Sequence, residues 1–251
     1  MNIKSIHLIY ALVFLVSMHF FVACGDSDSA TRPTGDSSSV EPSSSEYKRA
    51  QCNAEIDENC FKDERDGQSY KIVKIGDQVW MAENLNFKID SSFCYNDSAE
   101  YCEKYGRLYR WAAAVGKLES ECGHGYTCSL PSGNIQGVCP NGWHLPSMVE
   151  WNTLFTTVGG PLAANMKLRT SSGWNYNSNG TDDFGFSALP AGLGYIEGHY
   201  GNEGGFAYFW SSTESNIYNY YAYHMGLCGR EHAYLYDQSK DYAFSVRCVK
   251  D

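Results

Sequence analysis

Hydrophobic and polar residues change their arrangement three times along this chain. A mostly apolar run from about Ile6 to Val22 gives way, between Gly25 and about Glu46, to Ser, Asp, Thr, Gly and Pro. From about Gln51 onward, apolar positions recur with the periods of regular structure. Two strands are predicted at about Ser69 to Ile75 and Gln78 to Asn84, joined by a hairpin turn at Gly76-Asp77. Helical spacing follows at about Tyr109 to Leu118, at Ser147 to Val158 and, more briefly, at Leu162 to Arg169. Ser147 and Glu150 form a Ser-x-x-Glu capping box, in which each side chain satisfies a backbone donor that the first helical turn leaves unpaired. Pro146 forces an extended approach to that cap, Trp151, Leu154 and Phe155 mark the inward face, and Gly159-Gly160 can take left-handed geometry and stop the helix.

After Trp174 the chain is rich in Gly, Asn and aromatic residues, with short strand-like pieces at Phe206 to Ser212, Tyr220 to Met225, His232 to Tyr236 and Ala243 to Val249. In the last piece Phe244, Val246 and Cys248 alternate with Ser245, Arg247 and Val249, the period of a half-buried strand. Helices early and strands late point to an α+β domain whose long middle region is irregular and held by turns, disulfides or ions.

The apolar run behind Lys4 is too short and too weakly flanked for a membrane span and has the character of a secretory signal. Phe-Val-Ala-Cys24-Gly resembles a bacterial lipobox, with Phe21 in place of the usual Leu, and makes Cys24 the expected lipidation site. Residues 1–23 therefore read as a lipoprotein signal peptide, 24–50 as a flexible Ser-rich tether and 51–251 as a single domain. The tether has too little apolar surface to offset its ordering entropy, and some twenty such residues span roughly 25 Å. The expectation is a protein exported and lipid-anchored to the cell envelope, at the outer membrane or cell surface, to which Gly25 after the cysteine is suited.

Composition narrows the class. With 43% hydrophobic, 15% aromatic and 19% charged residues the domain is globular, and a formal net charge of −10 argues against nucleic acid as a partner. Ten cysteines in an exported chain read as disulfides. Spacing suggests Cys52 with Cys60, Cys94 with Cys102 and Cys122 with Cys128, each closing a short loop, and Cys139 with Cys248 as a long clasp. If Cys24 is lipidated one cysteine is left over, and Cys228 is the candidate. Zinc at Cys122, His124 and Cys128 is the rival reading of that loop.

Several longer stretches then carry a family resemblance. Asp66-Gly-Gln-Ser-Tyr-Lys-Ile-Val-Lys-Ile-Gly-Asp-Gln-Val-Trp-Met-Ala-Glu-Asn-Leu85, Tyr105-Gly-Arg-Leu-Tyr109, Cys139-Pro-Asn-Gly-Trp-His-Leu-Pro-Ser147, Asp182-Asp-Phe-Gly-Phe-Ser-Ala-Leu-Pro-Ala-Gly192, Phe209-Trp-Ser-Ser212 and Ser245-Val-Arg-Cys-Val-Lys-Asp251 resemble the Fibrobacter succinogenes major paralogous domain, over about residues 66–251. His144-Leu-Pro-Ser-Met-Val-Glu-Trp151 is similar, more distantly, to a signature of the formylglycine-generating enzymes, which share a C-type lectin-like fold. The resemblance implies a single disulfide-rich domain of that kind, with two or three helices, short antiparallel strands and long irregular loops. It implies a surface lipoprotein habit and no particular activity.

The enzyme group acts through two thiolates near the terminal strand, whereas this chain offers only Cys228 there, so an oxidase of the formylglycine-generating type is the alternative and not the main reading. His144, His199, His224 and His232 with Asp182, Asp183 and Glu203 are the other groups that acid/base chemistry could use. The calcium and sugar motifs of C-type lectins are absent, but Asn177, Asn179, Asp182 and Asp183 offer oxygen ligands for a structural calcium, against the reading that they bond their own turn. Aromatic density is the remaining signal. Trp174, Phe184, Phe186 and Trp210 are expected in the core, while Tyr195, His199, Tyr200, Tyr208, Tyr218 and Tyr220 are expected on a surface that binds a polysaccharide or a surface protein. The function expected is a non-enzymatic recognition, adhesion or structural module.

Overall fold

The computed structural model describes residues 52–229 and 232–251. In chain order its elements are β1 (Cys60–Lys62), β2 (Ser69–Ile75), β3 (Gln78–Met81), β4 (Ser92–Phe93), α1 (Ala99–Tyr105), β5 (Leu108–Arg110), α2 (Trp111–Ala114), α3 (Glu119–Cys122) and β6 (Trp143–His144). There follow α4 (Met148–Val158), α5 (Pro161–Lys167), β7 (Ala191–Gly194), β8 (Tyr200–Glu203), β9 (Phe206–Glu214), β10 (Tyr221–Cys228), β11 (Tyr234–Ser239), β12 (Ala243–Ser245) and β13 (Val249–Lys250). The fold is α+β, with five α-helices among the described residues where two or three were expected. The extra ones are single turns or two, which leave too short a periodic pattern to read.

A five-stranded sheet has the order β1-β2-β3-β13-β6, and a larger sheet runs β11-β10-β9-β7-β12-β5-β4 with β8 paired to β7. The segment expected as one terminal strand therefore serves both sheets. Ala243–Ser245 pairs with β5, β7 and β9, and Val249 pairs with Trp80 and His144 in the smaller sheet. Every residue from Ala243 to Val249 is buried, because the chain passes through the interior between two sheets and has no solvent face.

Alternate residues of β9 feed different cores. Tyr208 and Trp210 pack with Trp111, Trp143 and Phe244, whereas Ala207 and Phe209 pack with Trp80, Trp151 and Phe186. The second core is roofed by α4, whose Trp151, Leu154, Phe155 and Val158 are all buried. Burial of such side chains contributes about 1.5–3 kcal/mol each. Ser147 and Glu150 make the reciprocal capping box, and Gly159 ends the helix in left-handed geometry at φ 107°.

Two expected elements are corrected. Tyr109 and Arg110 belong to β5, since they pair with Phe244 and Ala243, and the helix expected to extend to Leu118 is one turn long, ending before Gly116 at φ 73°. The strand expected to reach Asn84 stops at Met81, because Asn84 turns inward to donate to Tyr105 O and Ser245 Oγ and to accept from Arg247 Nε.

Disulfides join Cys52 to Cys60, Cys94 to Cys102, Cys122 to Cys128 and, across 109 residues, Cys139 to Cys248. Cys228, expected as the odd cysteine, is disulfide-bonded. Two buried arginines organise the irregular middle. Arg247 donates to the carbonyls of Phe186 and Ser187 and to Asn84, and Arg169 donates to the carbonyls of Asn165 and Ser178 while lying over the Trp174 ring. Trp174, Phe186 and Trp210 are buried, and Phe184 is half-buried against the second core.

Candidate functional site

The loop between β9 and β10 and the loop closed by Cys122–Cys128 face one another across an open cleft of about 530 Å3, lined by Thr127, Glu214, Asn216, Ile217, Tyr218 and Asn219 among others. Asn219 Nδ2 donates to the Gly125 carbonyl at 2.7 Å and ties the two walls together. The rings of Tyr218 and Tyr220 stack at 5.3 Å and 15°, and His124 continues the stack on Tyr220 at 5.3 Å and 28°. His124 is held in turn by Ser239 Oγ at 3.1 Å and by the Asp241 carboxylate at 3.4 Å. Ile217 and Tyr218 remain exposed.

The floor is built from sequence-distant groups. Glu214 accepts from the Lys240 ammonium at 2.5 Å and, with both oxygens, from the Cys128 N–H at 3.0 and 3.2 Å. Lys240 is fully buried, donates also to the Tyr126 carbonyl at 2.7 Å and lies 4.7 Å above the Trp111 ring. A buried ammonium is tolerated only with a counter-charge and full hydrogen bonding, so Lys240 fixes the Glu214 carboxylate at the cleft floor. The result is a wall of rings beside two side-chain amides and one carboxylate. Such a surface can cover the apolar face of a ring-shaped ligand while accepting and donating hydrogen bonds at its edge.

The six residues expected to form one binding surface are divided. Tyr218 and Tyr220 belong to this cleft. Tyr195, His199 and Tyr200 lie on the β7–β8 hairpin, where the Tyr195 ring packs on Tyr242 at 5.6 Å and Tyr200 donates to Asp97 at 2.6 Å. Tyr208 is not on a surface: it is 8% exposed, stacked between Phe206 and Phe244, and its hydroxyl accepts from Asn202 at 3.0 Å. Its place in a central strand decides this, since even positions of β9 point into the first core. The contributions of Glu214 and Lys240 had no local sequence signal, as the two are joined only by the meeting of β9 with the turn after β11.

Two of the four expected metal ligands are engaged with the chain itself. Asp182 accepts from the Ser187 N–H at 2.7 Å and from Ser187 Oγ at 2.6 Å, Asn179 accepts from the Trp174 N–H at 3.0 Å, and Asn177 and Asp183 are exposed. Asp182 and Asn179 thus bond their own turn. Among the described residues no group of three or more His, Cys, Asp or Glu is placed to hold a metal ion. The zinc reading of the Cys122 loop is overturned by its disulfide, which leaves no thiolate for a metal.

The candidate acid/base groups are not brought together. His199 and His232 are exposed, and Glu203 accepts from the Tyr105 hydroxyl. His224 is buried among Tyr208, Trp210, Tyr234 and Phe244, and burial pushes its pKa down to about 3. His144 is buried between two carboxylates, with Nε2 2.6 Å from Glu150 and Nδ1 2.7 Å from Asp251. Burial alone would lower its pKa, but hydrogen bonds and charge from Glu150 and then Asp251 outweigh that and raise it. With both nitrogens committed, His144 joins β6 to the first turn of α4 and to the residue after β13. It is a clasp in which no ring nitrogen is open to substrate.

Cys24 lies outside the described residues, and among those described no helix is long and apolar enough to cross a membrane. No curated protein matches the chain, and no solved structure does. The model of one family, described as the Fibrobacter succinogenes major domain, matches residues 73–250, a span that holds the capped helix, the larger sheet, the smaller sheet from the second half of β2 onward, the Cys139–Cys248 disulfide and both walls of the cleft. The chain thus belongs to the Fibrobacter succinogenes major domain family.

Proposed function

We propose that this is a non-enzymatic recognition lipoprotein of the bacterial cell envelope, anchored through Cys24 at the outer membrane or cell surface, whose cleft beside Tyr218 and Tyr220 binds a segment of polysaccharide. The observation that carries the reading is the stacked Tyr218–Tyr220 pair, backed by His124, with Tyr218 and Tyr220 standing next to Asn216, Asn219 and a fixed Glu214 in one concavity. Its volume falls within the range of about 300–1,000 Å3 typical of small-ligand sites. Net charge of −10 favours neutral over acidic polysaccharides. Catalysis of the formylglycine-generating type needs two thiolates near the terminal strand, and the sequence offers only Cys228 there.

The test is a polysaccharide array probed with the mature protein, with and without a calcium chelator. Binding of a neutral glycan that survives chelation and falls on Tyr218→Ala is the expected result. Retention of full affinity in Tyr218→Ala and Tyr220→Ala would move the site elsewhere. For the anchor, Cys24→Ala should release the protein from the membrane fraction, since the lipid needs that sulfur. A mass measurement finding Cys24 unlipidated in the mature protein would remove the anchor.

A further inference from the structure

A second group of tyrosines, none of which lines the cleft, has different chemistry. Tyr200, Tyr95, Tyr101 and Tyr105 form a ladder, with successive ring centroids 5.2, 5.2 and 6.0 Å apart. The first three are half-buried, each with part of its surface open to solvent. The Cys94–Cys102 disulfide clamps the turn that carries Tyr95 to α1, which carries Tyr101 and Tyr105. Two of the four hydroxyls are already engaged: Tyr105 donates to Glu203 and Tyr200 donates to Asp97 at 2.6 Å. The ladder therefore presents fixed ring faces and carboxylates but few free groups for sugar hydroxyls.

The molecule itself shows what such a surface receives. The Lys104 ammonium sits 4.5 Å from the centroid of the Tyr105 ring and 3.6 Å from Glu203 Oε1, inside the distance of about 6 Å at which a ring face attracts a cation. One end of the ladder thus already holds a cation between a ring and a carboxylate. The other end, at Tyr95 and Tyr200 beside Asp97, repeats ring and carboxylate, and among the described residues no cation lies over either ring. We propose that this ladder is a docking surface for a lysine- or arginine-rich segment of a partner protein. Cation–π attraction at Tyr95 and Tyr101, with Asp97 and Glu203 as counter-charges, would recognise it, and the clamped turn would present the rings without further ordering.

The experiment titrates the mature protein with a short oligolysine peptide, using the same peptide with acetylated side chains as control, and follows affinity at fixed ionic strength. Tyr95→Ala and Tyr101→Ala should each weaken binding about three- to tenfold, the range of a partly desolvated cation–π contact. Tyr101→Phe, which keeps a ring face and cannot be blamed on misfolding, should retain most of it. Lys104→Gln should tighten binding by freeing the Glu203 carboxylate of its ammonium partner, whereas Lys62→Gln, the same charge change at an exposed site elsewhere, should not. Equal affinity in wild type, Tyr95→Ala and Tyr101→Ala would mean attraction by net charge alone and would overturn the proposal. So would no binding of oligolysine, equal binding of the acetylated peptide, or a glycan whose binding to the wild type is lost in Tyr95→Ala. Tyr218→Ala should leave oligolysine binding unchanged, so the outcome does not depend on the polysaccharide reading of the cleft.

Discussion

The clasped end of the domain and the cleft both contain a disulfide, and they use it for different ends. Cys139–Cys248 spans 109 residues, both sulfurs are inaccessible, and the side chains around it reach far along the chain: Arg247 to Asn84 and Ser187, His144 to Asp251. Cys122–Cys128 spans 6 residues and stiffens one loop whose neighbours Asn216, Tyr218 and Asn219 stay open to solvent. Where distant segments meet, polar groups are saturated and the bond restricts the whole unfolded chain. Where a local loop is stiffened, the bond restrains little but fixes a surface. Ligand chemistry belongs to the second kind of place, because a loop can vary without disturbing a core that others depend on.

The sharpest way to break this contrast is to cut each bond. In the chain-entropy account a loop of about a hundred residues is worth roughly 4–5 kcal/mol and one of a few residues about 2–3 kcal/mol. Cys248→Ser should therefore lower stability in urea or thermal unfolding by clearly more than Cys128→Ser. Equal losses, or free thiols at Cys139 and Cys248 in the exported protein, would remove the distinction.

A smaller effect separates the clasp from the aromatic interior beneath the large sheet. His144 has a raised folded pKa, so its contribution to stability is fully present below the unfolded value of 6.5 and is lost as pH rises through the folded one. Glu150, lowered mainly by His144 against its own desolvation, adds stability above its unfolded value of 4.5 that disappears as pH falls through its folded value. His224 has the opposite sign to His144. Its folded pKa of about 3 lies below the unfolded 6.5, so stability is complete above pH 6.5 and declines in acid because only the unfolded chain takes the proton. From pH 6.5 to pH 5 that amounts to about 2 kcal/mol at 1.4 kcal/mol per unit. Replacing His224 with Leu should flatten the acid limb of the stability profile, and His144→Asn should flatten the neutral limb. A profile whose acid limb is unchanged in His224→Leu would show that the imidazole is hydrated in solution.

Much of the scaffold was legible because its signals are local. The Ser147–Glu150 box, the Gly159 stop and the Gly76 turn between Ile75 and Gln78 each depend on residues within four positions, and the structure shows all three. The short disulfide loops have the same character. What was not legible was decided by partners far along the chain. Tyr109 carries a helical pattern but becomes strand because Phe244 pairs with it, and Tyr208 resembles any other tyrosine of the late aromatic stretch until β9 is seen to have two buried faces. At the cleft, Tyr218 and Tyr220 could be picked from composition, whereas the Glu214–Lys240 pair and the reach of Asn219 to Gly125 exist only after folding. The tyrosine ladder was missed for the same reason, since Tyr95 and Tyr200 meet across a hundred residues of chain.

The smallest expected change in stability is also the most decisive for the contrast between clasp and cleft. Tyr218 is 47% exposed and its ring lies against Tyr220 and Tyr221, with no part in either core. Tyr218→Ala removes surface that is already half in water, so the melting temperature should move little, by no more than the roughly 0.5 kcal/mol usual for surface positions. Phe186, inaccessible and packed on Trp80, Trp151 and Phe209, should cost about 3–5 kcal/mol when replaced by Ala. For a glycan found on the array the order should reverse: Tyr218→Ala should weaken binding by about 1–3 kcal/mol, as for an aromatic contact residue. Phe186→Ala, assayed where the protein is still folded, should leave affinity nearly intact. A Tyr218→Ala protein that melts like Phe186→Ala would return that ring to the scaffold, and with it the claim that the cleft wall is free to serve recognition alone.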